Sequence, residues 1–231
     1  MARRPHLKIS TGEKIALRQT WTRNVPTSGH LHMDLLSYQR TVFGFHGCDR
    51  RVADEVLSGK RQLTASLNTY DWLGMGVYFW EHGPRRALEW ATQQSKRKGS
   101  HIKHPAVLGA VIQLGNCFDL LDVQFTEMLS KSARDLELAM ASEGVSLPEN
   151  QTVGRRDLDW LKRERDCFVI NQSIPAIEAT LGSQFHSVRG VFQEGDPAFH
   201  GAGIKLKSHI QIAVRDPGAI IGFFRPQITQ H

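Results

Sequence analysis

Apolar positions along this chain predict strands toward both ends and helices in the middle. Thr41–His46 (TVFGFH) is β-branched and aromatic, the pattern of a strand. Asp49 then caps a short helix whose Val52, Val56 and Leu57 share one face and whose stop is Gly59. Leu63–Leu73 has no period and reads as a loop, and Val77–Trp80 reads as a short strand. Gly83-Pro84 opens a helix with Ala87, Leu88 and Ala91 inward. Ala106–Leu114 is a buried strand closed by Gly115-Asn116. Gln124–Glu143 reads as a helix ending at Gly144, and Asp157–Asn171 as one that Pro175 keeps from running on. Ser187–Phe192, His209–Val214 and Ala219–Phe224 are strands, with a polar, glycine-rich loop at Gln193–Lys207. This order is that of an α+β fold rather than a regular βαβ alternation. Residues 1–36, weakly periodic, are expected to be an extension, and 37–231 one domain.

Composition narrows the class. With 231 residues, 40% of them hydrophobic, and 11 Phe and 5 Trp, the chain can bury a sizeable core. Its longest apolar stretch, Ala106–Leu114, is far short of the roughly 20 residues of a membrane-spanning helix, so no membrane partner is expected. The start, MARRPHLKIS, lacks the apolar run of a secretory signal. Cys48, Cys117 and Cys167 are odd in number and lack zinc spacing, so they are expected to fill core space in a reducing cytoplasm. No metal is expected. Residues 1–34 carry six Lys/Arg against two acids, toward a net charge of +6. A second basic cluster, Arg155, Arg156, Lys162, Arg163 and Arg165, is partly offset by Asp157, Asp159 and Glu164. Such clusters suit a polyanion, but without interleaved aromatics a solvated face is the commoner case.

Two motifs carry chemistry. In Phe45-His46-Gly47 a histidine at a strand end sits beside a backbone that a ligand can approach closely. Gly74-Met75-Gly76-Val77-Tyr78-Phe79 follows, with Tyr78 lying 32 positions after His46 (78 − 46) and offering a flat ring for stacking. Alone, the first is more often a core histidine and the second a turn into a core strand. Together, in this order with a helix between, they are more specific.

With these motifs the sequence resembles the ADP-ribosyltransferases of the diphtheria toxin and poly(ADP-ribose) polymerase type. The resemblance rests on F-H-G, then G-M-G-V-Y-F-W, then P-R-R-A-L-E-W-A, covering roughly residues 41–92 and 208–225. It implies a split β-sandwich of two small sheets around an NAD cleft, with flanking helices. It implies that His46 orients the adenosine ribose, that the Gly47 backbone pairs with the nicotinamide amide and that Tyr78 stacks on the nicotinamide ring. The family's third catalytic position, usually Glu, matches Gln211 in H-I-Q-I-A-V-R-D. Gln brings a hydrogen bond but no charge, which implies transfer of single ADP-ribose units. Glu194 is the candidate for an acid supplied from elsewhere, against a plain loop carboxylate. Where the family commonly has another Tyr, this chain has Glu89, with Trp90 beside it. Asn68, Tyr70 and Trp72 fall where an NAD-covering loop would lie, and Lys60 and Arg61 precede it.

The expected function is a cytoplasmic mono-ADP-ribosyltransferase moving ADP-ribose from NAD, its co-substrate, to a protein, RNA or DNA acceptor. A toxin or phage-related role is the biological expectation. Two alternatives stay open: an NAD glycohydrolase on the same fold, and a non-catalytic module binding NAD or nucleic acid.

Overall fold

The computed structural model describes residues 40–152 and 160–228. The basic arm at 1–36 and Arg155 and Arg156 of the second cluster lie outside these. The described residues form nine strands and four α-helices, in the order β1 (Thr41–Asp49), α1 (Arg50–Leu57), β2 (Val77–Glu81), α2 (Pro84–Ser95), β3 (Pro105–Gln113), β4 (Cys117–Asp119), α3 (Val123–Ser142), β5 (Gln151–Thr152), β6 (Trp160–Lys162), α4 (Glu164–Leu181), β7 (Ser187–Phe192), β8 (His209–Val214) and β9 (Ile220–Phe224). Among the described residues, no helix is long and apolar enough to cross a membrane. The fold is α+β.

Local chemistry sets most boundaries. Asp49 accepts from the Arg51 amide at the start of α1, and also from the Lys103 and His104 amides, tying that helix to the entry of β3. Pro84 occupies the first turn of α2, and Asp122 caps α3 by accepting from Gln124.

Two expectations about helices are corrected. The helix expected over Asp157–Asn171 begins at Glu164, after β6, and runs through Pro175 to a left-handed cap at Gly182. Proline inside a helix costs about 3 kcal/mol. Burial of Ile170, Ile174 and Ile177 against the core offsets it, at about 1.5–3 kcal/mol per side chain.

The expected two small sheets are instead one seven-stranded sheet, ordered β4-β7-β8-β2-β1-β3-β9, beside a separate β5-β6 pair. The reason is β2, which pairs with both β1 and β8 and so joins the halves. The sheet is curled. β3 and β4 stand five places apart, about 24 Å if flat. Gln113 and Cys117 are four Cα steps apart, at most about 15 Å. Curling encloses one face, where Val42, Val77, Phe79, Ile112, Leu114, Cys117 and Ile212 form a single core. On the opposite, outer face α2 covers Phe45, Trp80 and Val107, while α4 covers Leu73, Phe118, Val188 and Ala213.

The three cysteines are free and buried, as expected.

Candidate functional site

Where β1 and β2 part, the sheet opens. β1 pairs with β3 over nine registered positions but with β2 over only two, Gly44↔Glu81 and Phe45↔Trp80. Alternation of ladder bonds turns the N–H and C=O of Gly47 toward β2, beyond the point where that ladder ends. Across the gap His46 Nδ1 stands 2.9 Å from the Tyr78 carbonyl. A carbonyl only accepts, so Nδ1 carries the proton and Nε2 presents a lone pair. Burial pushes the His46 pKa below its ordinary 6.5, outweighing the backbone bond, so the ring is neutral at pH 7.

The expectation that the His46 and Tyr78 rings line one pocket is corrected. His46 lies against Phe79, ring centroids 5.7 Å apart. Tyr78, adjacent to Phe79 along the strand, points to the other face. There its ring packs among Leu73, Phe118 and Ala213, and its hydroxyl donates to the Gly74 carbonyl at 2.8 Å and accepts from the Leu73 amide at 2.9 Å. Tyr78 braces the Gly74-Met75-Gly76 turn. On that face Trp90, partly buried on α2 with its ring centre 5.6 Å from that of Trp80, packs toward Gly47. A Cβ on Gly47 would come within 2.4 Å of the Ala87 carbonyl oxygen on α2, with the Trp90 ring at 3.1 Å, so only glycine seats it.

Gln211 sits on the outer face, opposite Trp80 on one side and Gly190 on the other. Trp72 Nε1 donates to its Oε1 at 2.8 Å. The indole has only a donor, so the amide oxygen is held and the amide nitrogen is left to donate. Trp72 in turn lies over Gly190, where an added Cβ would meet it at 2.7 Å, and against Phe192. Arg163 lies over both rings.

The other candidates fall apart. Asn68 bonds within its own loop, to Asp71, and accepts from the Cys167 thiol. It lines a cavity of about 280 Å³ with Leu73, Met75, Ile170, Ile174 and Pro175, among whose lining residues neither His46 nor Gln211 appears. Tyr70 is exposed and Arg61 pairs with Glu55. Lys60 is exposed at the end of α1. Glu89 is exposed, 3.9 Å from Arg86. Glu194 is not a free loop carboxylate: it bonds Arg86 Nη2 at 2.6 Å with only 16% of its side chain exposed.

Arg86, Trp80 and His209 were not assigned roles from sequence, though two of them carried a sign. Arg86 precedes Trp90 by one helical turn, and His209 shares a strand face with Gln211. Burial lowers the His209 pKa below 6.5, as does Arg86, against the Lys207 carbonyl and Glu194.

Among known proteins, an uncharacterised protein of Methanocaldococcus jannaschii is 26% identical over 141 residues, spanning 56% of this chain and 64% of the relative. The match therefore covers less than two thirds of that relative's length. No family model matches the sequence, and no solved structure matches it.

Proposed function

We propose that this protein is an NAD-dependent mono-ADP-ribosyltransferase whose co-substrate enters the gap between β1 and β2. The observation that carries the reading is the two-pair ladder with Gly47 just beyond it and a neutral His46 spanning the gap. An amide such as that of nicotinamide has the donor and acceptor that the Gly47 backbone would match. His46 Nε2 accepts from a ribose hydroxyl. Trp90, which touches Gly47 from the outer face that Gln211 also occupies, is the ring that nicotinamide would meet, while His46 reaches the gap from the enclosed face. Gln211 donates its amide N–H to the nicotinamide-ribose oxygen, with Trp72 fixing its orientation. The C1′–N bond loosens toward an oxocarbenium-like state, and the bond's electron pair leaves with nicotinamide.

Incubation with adenine-labelled NAD and cell lysate, then protease or nuclease digestion of the product, tests this. Label retained on a macromolecule supports transfer, and the digestion that frees it names the acceptor class. Free ADP-ribose alone makes the protein a hydrolase. An NAD pool left intact overturns the proposal.

A further inference from the structure

Three orphaned polar groups gather on the outer face. Trp80 Nε1, Arg86 Nε and Nη1, and His209 Nε2 are all buried without a hydrogen-bond partner. The Trp80 and His209 rings are 6.1 Å apart, and the Arg86 guanidinium carbon is 5.9 Å from the Trp80 ring centre. Each such group costs about 1–3 kcal/mol if nothing satisfies it. A cluster of them marks where a ligand atom belongs.

The protonation pattern says which atom. His209 Nδ1 stands 2.6 Å from the Lys207 carbonyl, so Nδ1 holds the proton and Nε2 the lone pair. Phe192 stacks on the ring at 5.3 Å and fixes its plane. The site therefore offers one acceptor, on His209, and donors on Trp80 and Arg86. A phosphate or carboxylate has no proton to give Nε2. An ammonium or guanidinium would meet the charge of Arg86. A hydroxyl satisfies both sides, giving its hydrogen to Nε2 and accepting from an N–H.

We infer that this cluster seats the hydroxyl group of the nucleophile that captures ADP-ribose, with His209 as its general base. The inference rests on the proposed reading of the site as an NAD-dependent transferase. His209 lies two residues before Gln211 on one strand face, and Trp80 lies opposite Gln211. In the step, the acceptor oxygen bonds C1′ of the ribose as the C1′–N bond breaks. The bonding pair goes to the nicotinamide ring, which departs neutral, and the hydroxyl proton goes to His209 Nε2 and then to water. Nε2 is shut from solvent, so the loop tied by the Lys207 amide to the Glu194 carbonyl must open to admit an acceptor. The charged groups around His209 are Arg86 from α2, Glu194 from the loop after β7, and Arg163, which lies over Phe192.

The test uses the full chain with NAD and methanol as the hydroxyl probe. Nicotinamide, methyl-ADP-ribose and ADP-ribose are quantified, and NAD affinity is measured by calorimetry. His209→Gln fills the same space but cannot take up a proton. It should lower methanolysis by about 10²- to 10⁴-fold with NAD affinity unchanged, and should make the acid limb of the rate profile below pH 6.5 shallower, leaving the part that His46 contributes. Wild-type turnover in His209→Gln, or a loss matched by an equal loss of NAD affinity, overturns the inference alone. A wild type inert toward NAD overturns the transferase reading and this inference together. If His209→Gln does not fold, Trp80→Phe decides: the inference requires a raised KM for methanol at constant NAD affinity, and an unchanged KM contradicts it.

Discussion

Two arginines lie on opposite faces of this sheet, and they are treated in opposite ways. Arg189 on the enclosed face gives Nε and Nη2 to Glu81, at 2.6 and 3.1 Å, and Nη1 to both oxygens of Asp119. Burial opposes its charge, but the two carboxylates more than offset this and raise its pKa. Arg86 on the outer face has one hydrogen-bonded carboxylate, Glu194, on Nη2 and the exposed Glu89 at 3.9 Å from Nη1, while Nε and Nη1 are buried without a hydrogen bond. A fully satisfied ion cluster holds strands together. A half-satisfied one, beside two further orphaned groups, is arranged for something that arrives.

Mutations can break that contrast. Arg189→Met strands two buried carboxylates and should cost about 3–5 kcal/mol in denaturant unfolding. A cost below about 1 kcal/mol would mean that the cluster is not structural. Gln211→Ala takes the acceptor from Trp72 Nε1, a stability loss of about 1–3 kcal/mol, and should lower transfer in the folded fraction by about a hundred- to a thousandfold. Gln211→Glu keeps an acceptor for Trp72 Nε1 and should retain transfer while raising NAD hydrolysis. Tyr78→Phe strips partners from the Leu73 amide and Gly74 carbonyl, a stability loss of about 1–3 kcal/mol, with turnover kept in the folded fraction. Loss of turnover without loss of stability would return the hydroxyl to the chemistry. Arg86→Met should cost only about 1 kcal/mol, because Glu194 keeps some access to water. A loss matching that of Arg189→Met would erase the contrast.

The smallest effect is on pH. His46 and His209 have folded pKa values below 6.5, so the unfolded chain takes up protons first on acidification. Stability should therefore fall as pH drops below 6.5, and less steeply in His46→Asn. A stability that rises on acidification through that window would contradict the buried, neutral assignment.

How much of this was legible follows from which interactions are local. Asp49, Gly83-Pro84 and Gly144 signal helix ends through bonds made within a few residues, so their elements could be read directly. β4 is three residues long, too short for any period, and α4 continues past Pro175 because distant apolar surface covers Ile170, Ile174 and Ile177. In the site, His46, Trp72, Trp90 and Gln211 stood out from the motifs, and geometry brings Trp72 onto Gln211. The Arg86–Glu194 and Arg189–Glu81 pairs each span 108 positions, and only the strand order brings them together. Tyr78 was legible as important but not as to which face it takes, since that depends on the register of β2 against β8.

The central claim is that the gap beyond Phe45 and Trp80 holds NAD for cleavage of its nicotinamide bond. His46→Asn tests it most directly, because the Asn amide can still donate to the Tyr78 carbonyl while the Nε2 lone pair is gone. Single-turnover nicotinamide release from NAD is compared between wild type and this variant, with folding checked by circular dichroism. The account predicts release by the wild type and at least a roughly hundredfold slower release by a folded His46→Asn. Equal release by both, or none by the wild type, would contradict it.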